Sequence, residues 1–248
     1  MSSYTQSFNS HIERLIMKSM SYIVVALMLL LMVTSIPQPG FAGPFLMAAE
    51  GYVYGQLSNV RQERSINQVY VGEISLGHES FSNIGSTHLW QFCFEKNRYE
   101  EIESFIGKNV VIEFKFPISN DLLSCAQPNE LLEIYMVDQD SSWEQKHFIG
   151  DIHTSDPEVS RGVKIGRITN LTKNKNMSRI YYMTMQIGRG GSNFHQFMID
   201  DHDLYDFAIN ALKNAALVKV HYSDRRSYGN AYGLGLRSIV AEIEVIDR

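Results

Sequence analysis

The chain predicts a mainly β protein made of two copies of one five-stranded unit, and three observations lead there. The stretches "GYVYGQLSN" (51–59) and "GVKIGRITN" (162–170) place glycines and an asparagine at the same positions when the chain is shifted by 111 residues. Later matches follow in the same order in both halves. Between turn signals, the segments are rich in β-branched and aromatic residues, with one amphipathic helical stretch per copy.

The repeat is detailed. Gly51 meets Gly162, Gly55 meets Gly166, Asn59 meets Asn170, Tyr70 meets Tyr181 and Gly77 meets Gly188. Leu57 with Ile168 and Ile74 with Met185 keep the apolar positions in step. "WQFCFE" (90–95) then matches "HQFMID" (195–200), Tyr99 matches Tyr205, "IEFKF" (112–116) matches "VKVHY" (218–222) and "EIYMVD" (133–138) matches "EIEVID" (242–247). Length differences fall where turn residues cluster, as loops tolerate. A spacing of this size marks a duplicated domain; solenoid repeats run at roughly 20–50 residues.

Each copy reads strand, strand, strand, helix, strand, strand. In the second copy "VKIGRITNL" and "RIYYMTMQIG" are the first two strands, and the turn "GRGGSN" leads into "FHQFMI". The helix is "DDHDLYDFAINALKN": Leu204, Phe207, Ala208, Ala211 and Leu212 fall on one face at helical spacing. Asp201 or Asp203 caps its first turn by accepting from backbone N–H groups that lack helical partners. "LVKVHYS" and "IVAEIEVID" complete the unit. In the first copy the helix spans "RYEEIESFIGKN", with Gly107 or Asn109 as its C-terminal stop. Trp90, Phe92 and Phe94 share the core face of the third strand, and Cys93 lies on the other with Gln91.

Five strands with one helix between the third and fourth resemble the OB-fold, a five-stranded Greek-key barrel. The resemblance rests on element order and covers nearly all of the chain beyond residue 50. It implies tandem OB-like barrels with the third and fifth strands side by side, and ligand contacts on the first and last loops of a barrel. The expected domains are 50–138 and 161–248, joined by a linker at 139–160 and preceded by an N-terminal region, 1–42.

That region carries an apolar, uncharged run from Ile23 to Val33, preceded by Lys18 and followed by Pro37, Pro39 and Gly40-Phe41-Ala42. This is the order of a cleavable secretory signal. The alternative is an inner-membrane anchor over residues 15–36, since a spanning helix takes about 20 apolar residues. Residues 1–16 are polar and long for a signal; a start at Met17 is conventional, which leaves them as a mis-assigned extension or a short cytosolic tail. Either way the chain is expected to be exported, periplasmic or secreted. Two cysteines, Cys93 and Cys125, in an oxidising compartment predict one disulfide. Closing a loop of about 30 residues contributes roughly 3–4 kcal/mol in the chain-entropy picture.

Charge separates the copies. Residues 50–138 carry 6 basic against 13 acidic groups, a net of −7, whereas 161–248 carry 13 against 8, a net of +5. In the basic copy Lys173, Lys175 and Arg179 belong to the first loop, and Arg225, Arg226 and Arg237 to the last, where Tyr228 and Tyr232 sit among them. Arginines interleaved with aromatic side chains suit a protein or glycan surface, a polyanion or a single nucleic-acid strand. Opposite charges on the copies also allow self-association.

Catalytic and cofactor signatures are sparse. HExxH, CxxC and GxSxG do not occur. "DDHD" (200–203) carries metal-ligand types, but neighbouring residues at a strand-to-helix junction diverge, and capping accounts for them. "GRGGS" (188–192) precedes a strand and so lacks the helix N-terminus of a phosphate loop. Arg61, Arg64 and Glu73 are the one set from which a hydrolase could be assembled. Asn170-Leu171-Thr172 and Asn176-Met177-Ser178 are glycosylation sequons, relevant only in a eukaryotic secretory path. The expected function is therefore non-enzymatic: an exported binding protein that uses no cofactor and contacts a protein or glycan in the cell envelope through the loops of its second barrel. Two alternatives stay open, a nucleic-acid-binding module of a DNA transfer or uptake system and a secreted OB-fold hydrolase or nuclease.

Overall fold

In the computed structural model, residues 49–63, 69–77, 89–116, 129–137, 144–174, 181–188, 193–226 and 236–247 are described. The first half holds β1 (Ala49–Glu63), β2 (Val69–Leu76), β3 (Leu89–Phe94), a 3₁₀ turn (Lys96–Arg98), α1 (Tyr99–Glu103), β4 (Asn109–Phe116) and β5 (Glu130–Met136). The second holds β6 (His147–Ile149), β7 (Glu158–Asn174), β8 (Tyr181–Ile187), β9 (Phe194–Ile199), α2 (His202–Lys213), β10 (Leu217–Arg225) and β11 (Ser238–Asp247). The protein is mainly β, with two short helices.

Pairings in each half return to their starting strand. β1 pairs β2, β2 pairs β3, β3 meets β5 in parallel, β5 pairs β4 and β4 pairs β1. The second half repeats this through β7, β8, β9, β11 and β10. The start of β1 also pairs with the end of β7, which links both circuits into one eleven-stranded sheet.

The duplication extends to backbone detail. Gly55 lies opposite Leu76 in β1–β2, and Gly166 opposite Ile187 in β7–β8. A bulge interrupts the first pair between Leu57 and Asn59, and the second between Ile168 and Asn170. Both glycines permit a close strand approach: a Cβ would stand 2.2 Å from the Ser75 carbonyl oxygen at Gly55, and 1.8 Å from that of Gln186 at Gly166. Gly77 and Gly188 end β2 and β8 at φ +87° and +81°, a region side chains resist. Tyr70 meets Tyr99 at 5.2 Å, and Tyr181 stacks on Tyr205 at 4.1 Å, so each helix is pinned to its second strand by the same pair.

Three sequence expectations change. The match of β4 to β10 slips by two residues: Val53 opposes Ile112 while Lys164 opposes Val220, so Ile112 corresponds to Val220 rather than Val218. An alternation of period two scores both registers alike. The first helix stops at Glu103, because Phe105 and Ile106 bond back to Ile102 and Glu103 in 3₁₀ fashion. Gly107, at φ +81°, then turns the chain so that its N–H reaches the Leu57 carbonyl. The stretch 139–160 is not all linker: β6 adds to β11, and β7 begins at Glu158.

Two cores result. One gathers the first half's Val53, Leu57, Ile74, Trp90, Phe92, Ile102, Ile112 and Phe114. The other surrounds α2 and also takes in Tyr54 and Val111 from the first half. Leu204, Phe207, Ala208, Ala211 and Leu212 of α2 are all buried there, as their spacing predicts. Burying a Leu or Phe side chain is worth about 1.5–3 kcal/mol, and this anchors the helix. Asp201 is its N-cap, accepting from the N–H groups of Asp203 and Leu204. Trp90, Phe92 and Phe94 face the core, while Cys93 packs with Val71 apart from them. Cys93 is disulfide-bonded; Cys125 lies outside the described residues. Among the described residues no helix is long and apolar enough to cross a membrane, and residues 1–43 lie outside them.

Candidate functional site

Strand direction sets the two ends of the second half apart. β7 begins, β8 ends, β9 begins, β10 ends and β11 begins at one end. At the other, β9 runs into α2. The first end, called the open end below, is polar among its described residues. Side chains that continue the inward rows of the core there are Ser160 and Lys164 on β7, His195 on β9, and Tyr222 and Asp224 on β10. They follow from the pleat: Lys164 opposes the buried Val220, and His195 opposes the buried Met185.

The geometry is compact. The His195 ring lies 4.4 Å from Phe197 and 5.9 Å from Tyr222, centroid to centroid. Lys164 Nζ stands 5.9 Å from the Tyr222 ring. Tyr222 lies across Gly162, where a Cβ would stand 2.3 Å from its hydroxyl oxygen. Asp224 accepts from the Ser160 hydroxyl and the Ser238 hydroxyl, at 2.6 Å each.

These groups set each other's protonation. Burial lowers the His195 pKa, the Lys164 charge lowers it further, and Asp224 opposes them. The imidazole is therefore neutral at pH 7. Burial pushes the Asp224 carboxyl up, but hydrogen bonds from Ser160 and Ser238, with His195 and Lys164 nearby, hold it below the usual carboxylate range. Asp224 is an anion whose oxygens each hold a hydroxyl. His195 Nε2 is buried with no hydrogen-bond partner, and Lys164 has no ion-pair partner, among the described residues. Buried polar atoms are rarely left so.

The expected basic residues divide. Lys173 is not in a loop: it lies in β7, opposite Glu50 of β1, fifteen positions from Glu158 at the open end. Arg225 closes β10 and is largely spent on structure. Its side chain is 16% exposed, Nη1 donates to the Asp156 carbonyl at 2.9 Å, and Nη2 is 3.8 Å from Glu158. Glu158 is also held by the Ser223 hydroxyl at 2.8 Å and by Arg161. Arg226 and Arg237 are exposed beside the open end, where the Arg225 N–H bonds the Arg237 carbonyl. Lys175, Arg179, Tyr228 and Tyr232 lie outside the described residues. Of the described basic residues, Lys173 is thus apart from Arg225, Arg226 and Arg237.

The other candidates have structural roles. Glu73 accepts from Arg61, from Gln91 at 2.5 Å and from Asn59 at 3.1 Å. Burial raises its pKa, but these bonds prevail and lower it. These bonds tie Glu73 to β1 and β3, and Arg64 lies outside the described residues. In "DDHD", Asp201 also accepts from the Asp151 N–H, Asp200 accepts from the His153 N–H, and His202 meets Asp206 at 3.3 Å. Among the described residues no cluster of three His, Cys, Asp or Glu side chains could hold a metal ion.

Lys164 was missed by the sequence reading, and a signal for it existed. In the corrected register its counterpart is Val53; those of His195, Tyr222 and Asp224 are Trp90, Phe114 and Phe116. Each is apolar where the second half is polar. The two-residue slip hid this by setting Phe116 against Tyr222.

No protein-family model and no curated protein matches the chain.

Proposed function

We propose that the chain is an exported, non-enzymatic binding protein of two OB-type barrels, with the open end of the second as its contact site. The circuit order of five strands with a helix between the third and fourth supports the barrel reading. The disulfide at Cys93 supports an oxidising compartment, and the N-terminal apolar run supports a signal or an anchor. The first barrel, joined through β1–β7 and a shared core, serves as the rigid support.

One observation carries the reading. The end that is packed with apolar groups in the first half carries Lys164, His195, Tyr222 and Asp224 in the second, and Lys164 makes no ion pair there with a described residue. The partner is a protein or glycan of the cell envelope. A pull-down from envelope extract with the full-length chain tests this. Lys164→Glu with Arg237→Glu should lose the captured partners, while Lys96→Gln, on an exposed turn of the first half, should keep them. Equal capture by all three, or turnover of nucleic-acid or ester substrates, would overturn it.

A further inference from the structure

We infer that the chain adds to further molecules of itself head to tail, the start of β7 in one molecule pairing along the end of β1 in the next. This goes beyond the binding reading above and does not depend on it.

The contact between the halves supplies the pattern. Residues 49–53 of β1 pair with residues 170–174 of β7, with Tyr52 opposite Leu171. The start of one half's first strand thus lies along the end of the other's. By the repeat, 160–164 correspond to 49–53, and 59–63 correspond to 170–174. Such a contact is heterologous: it uses one of these edges from each half and leaves the other over. Among the described strands, 160–164 pair with β10 alone and 59–63 with β2 alone. The sides agree as well. β4 takes one edge of 49–53 and leaves the other to β7, and β10 is the counterpart of β4 at 160–164. β8 takes one edge of 170–173 and leaves the other to β1, and β2 is the counterpart of β8 at 59–63. Applied between two molecules, the same register sets Val163 opposite Val60 and Arg161 opposite Gln62.

Exposure marks the two surfaces. Tyr54 is buried in the second half's core, and Tyr52 and Val137 pack against it. Their counterparts Val163, Ile165 and Ile246 are 51%, 46% and 48% exposed. On the receiving side Leu171 is buried in that core, while its counterpart Val60 is half-buried at the margin of the first half's core. Both surfaces therefore carry apolar groups at the positions that the internal contact covers. Gly51 admits the close approach, since a Cβ would stand 2.0 Å from the Leu171 carbonyl oxygen, and position 162 is again glycine. The Tyr222 side chain that lies across Gly162 can turn aside, as a Cβ cannot. Charge completes the match, because the basic half of one molecule, at +5, meets the acidic half of the next, at −7. A second molecule of this chain is the occupant these features fit: it brings the edge, the register and the opposite charge together.

Sedimentation velocity of the full-length chain at rising concentration tests this. Association is expected by about 1 mM, the range of a weak pair, and it should weaken as salt rises. Val163→Lys and Val60→Lys should each weaken it by about ten-fold or more, by placing a charge in the apolar pair. Gln62→Arg, at an exposed position, should weaken it about five-fold by setting like charges opposite each other. Thermal melting verifies the fold of each variant, and Gln62→Arg takes the place of Val60→Lys if that variant unfolds. Mixing Val163→Lys with Val60→Lys, or with Gln62→Arg, should give dimers and nothing larger, since each supplies the edge the other lacks. A parent that stays monomeric overturns the inference. So does association that survives all three variants, or mixtures that form no dimer. Association lost in Val163→Lys but kept in both β1 variants also overturns it, because the β7 edge would then be pairing with itself.

Discussion

The two halves solve one backbone problem with opposite chemistry. They share strand order, the bulge after Leu57 and Ile168, the glycine contacts and the Tyr–Tyr link from helix to second strand. At the end away from the helix, the first half is filled by Trp90 and Phe114 against Val53. The second sets Lys164, His195, Tyr222 and Asp224 there. A small sheet whose pairings lead back to its first strand needs no apolar plug at both ends to keep its register, because main-chain pairing and one core suffice. A plugged end adds stability; at the polar end His195 Nε2 finds no hydrogen-bond partner among the described residues.

Exchanging residues between the halves tests this, starting with the largest effect. Trp90→His brings the second half's residue into the first half's packed core. It should destabilise by about 3–5 kcal/mol, through lost volume and a buried imidazole, read from urea unfolding. An effect below about 1 kcal/mol would mean that the plug is not part of the core. Next, Gly55→Ala and Gly166→Ala each drive a Cβ into a neighbouring carbonyl oxygen. Both should cost about 1–3 kcal/mol or more, and by similar amounts. Unequal costs would show that the shared contact matters in one half only.

The helices differ as well. α1 has no side-chain N-cap, whereas Asp201 caps α2. Asp201→Ala should cost about 1 kcal/mol near neutral pH. Burial raises the Asp201 pKa, but bonds from the Asp151, Leu204 and Asp203 N–H groups hold it below the ordinary value. Its folded pKa thus lies below its unfolded one, so its contribution is present above the ordinary carboxylate range and fades as pH falls through the folded pKa. The gap between parent and variant in denaturant midpoint should therefore close in acid; a constant gap would remove the charge from the account. The smallest effect is expected from Lys164→Val, which restores the first half's residue. Stability should stay within about 1 kcal/mol of the parent in urea unfolding; a larger loss would mean that the Lys164 charge helps to hold that end.

Legibility followed the kind of information each feature carries. The element order, the α2 core face and the Asp201 cap depend on neighbours in sequence, and each was readable there. So was the core face of Trp90, Phe92 and Phe94, from alternation alone. The register of β4 was not readable, because a two-residue slip preserves alternation. The role of Arg225 was hidden too: a loop arginine and one locked on Glu158 and a carbonyl look alike in sequence. Lys164 sits in a strand whose flanking residues read as ordinary β pattern, and only the counterpart Val53 marks it as unusual.

By itself the sequence determined that one unit occurs twice, which five segments of each unit are strands, where the helices start and how charge divides between copies. These are local or periodic properties, and chain neighbours enforce them. The tertiary structure alone decided that Lys173 sits fifteen positions along β7 from Glu158, the residue Arg225 opposes, that the stretch between the halves adds β6 to the sheet, and that Lys164, His195, Tyr222 and Asp224 converge. Residues 164, 195, 222 and 224 come from three strands, and only the closing of the circuit through β7, β10, β11 and β9 brings them to one end.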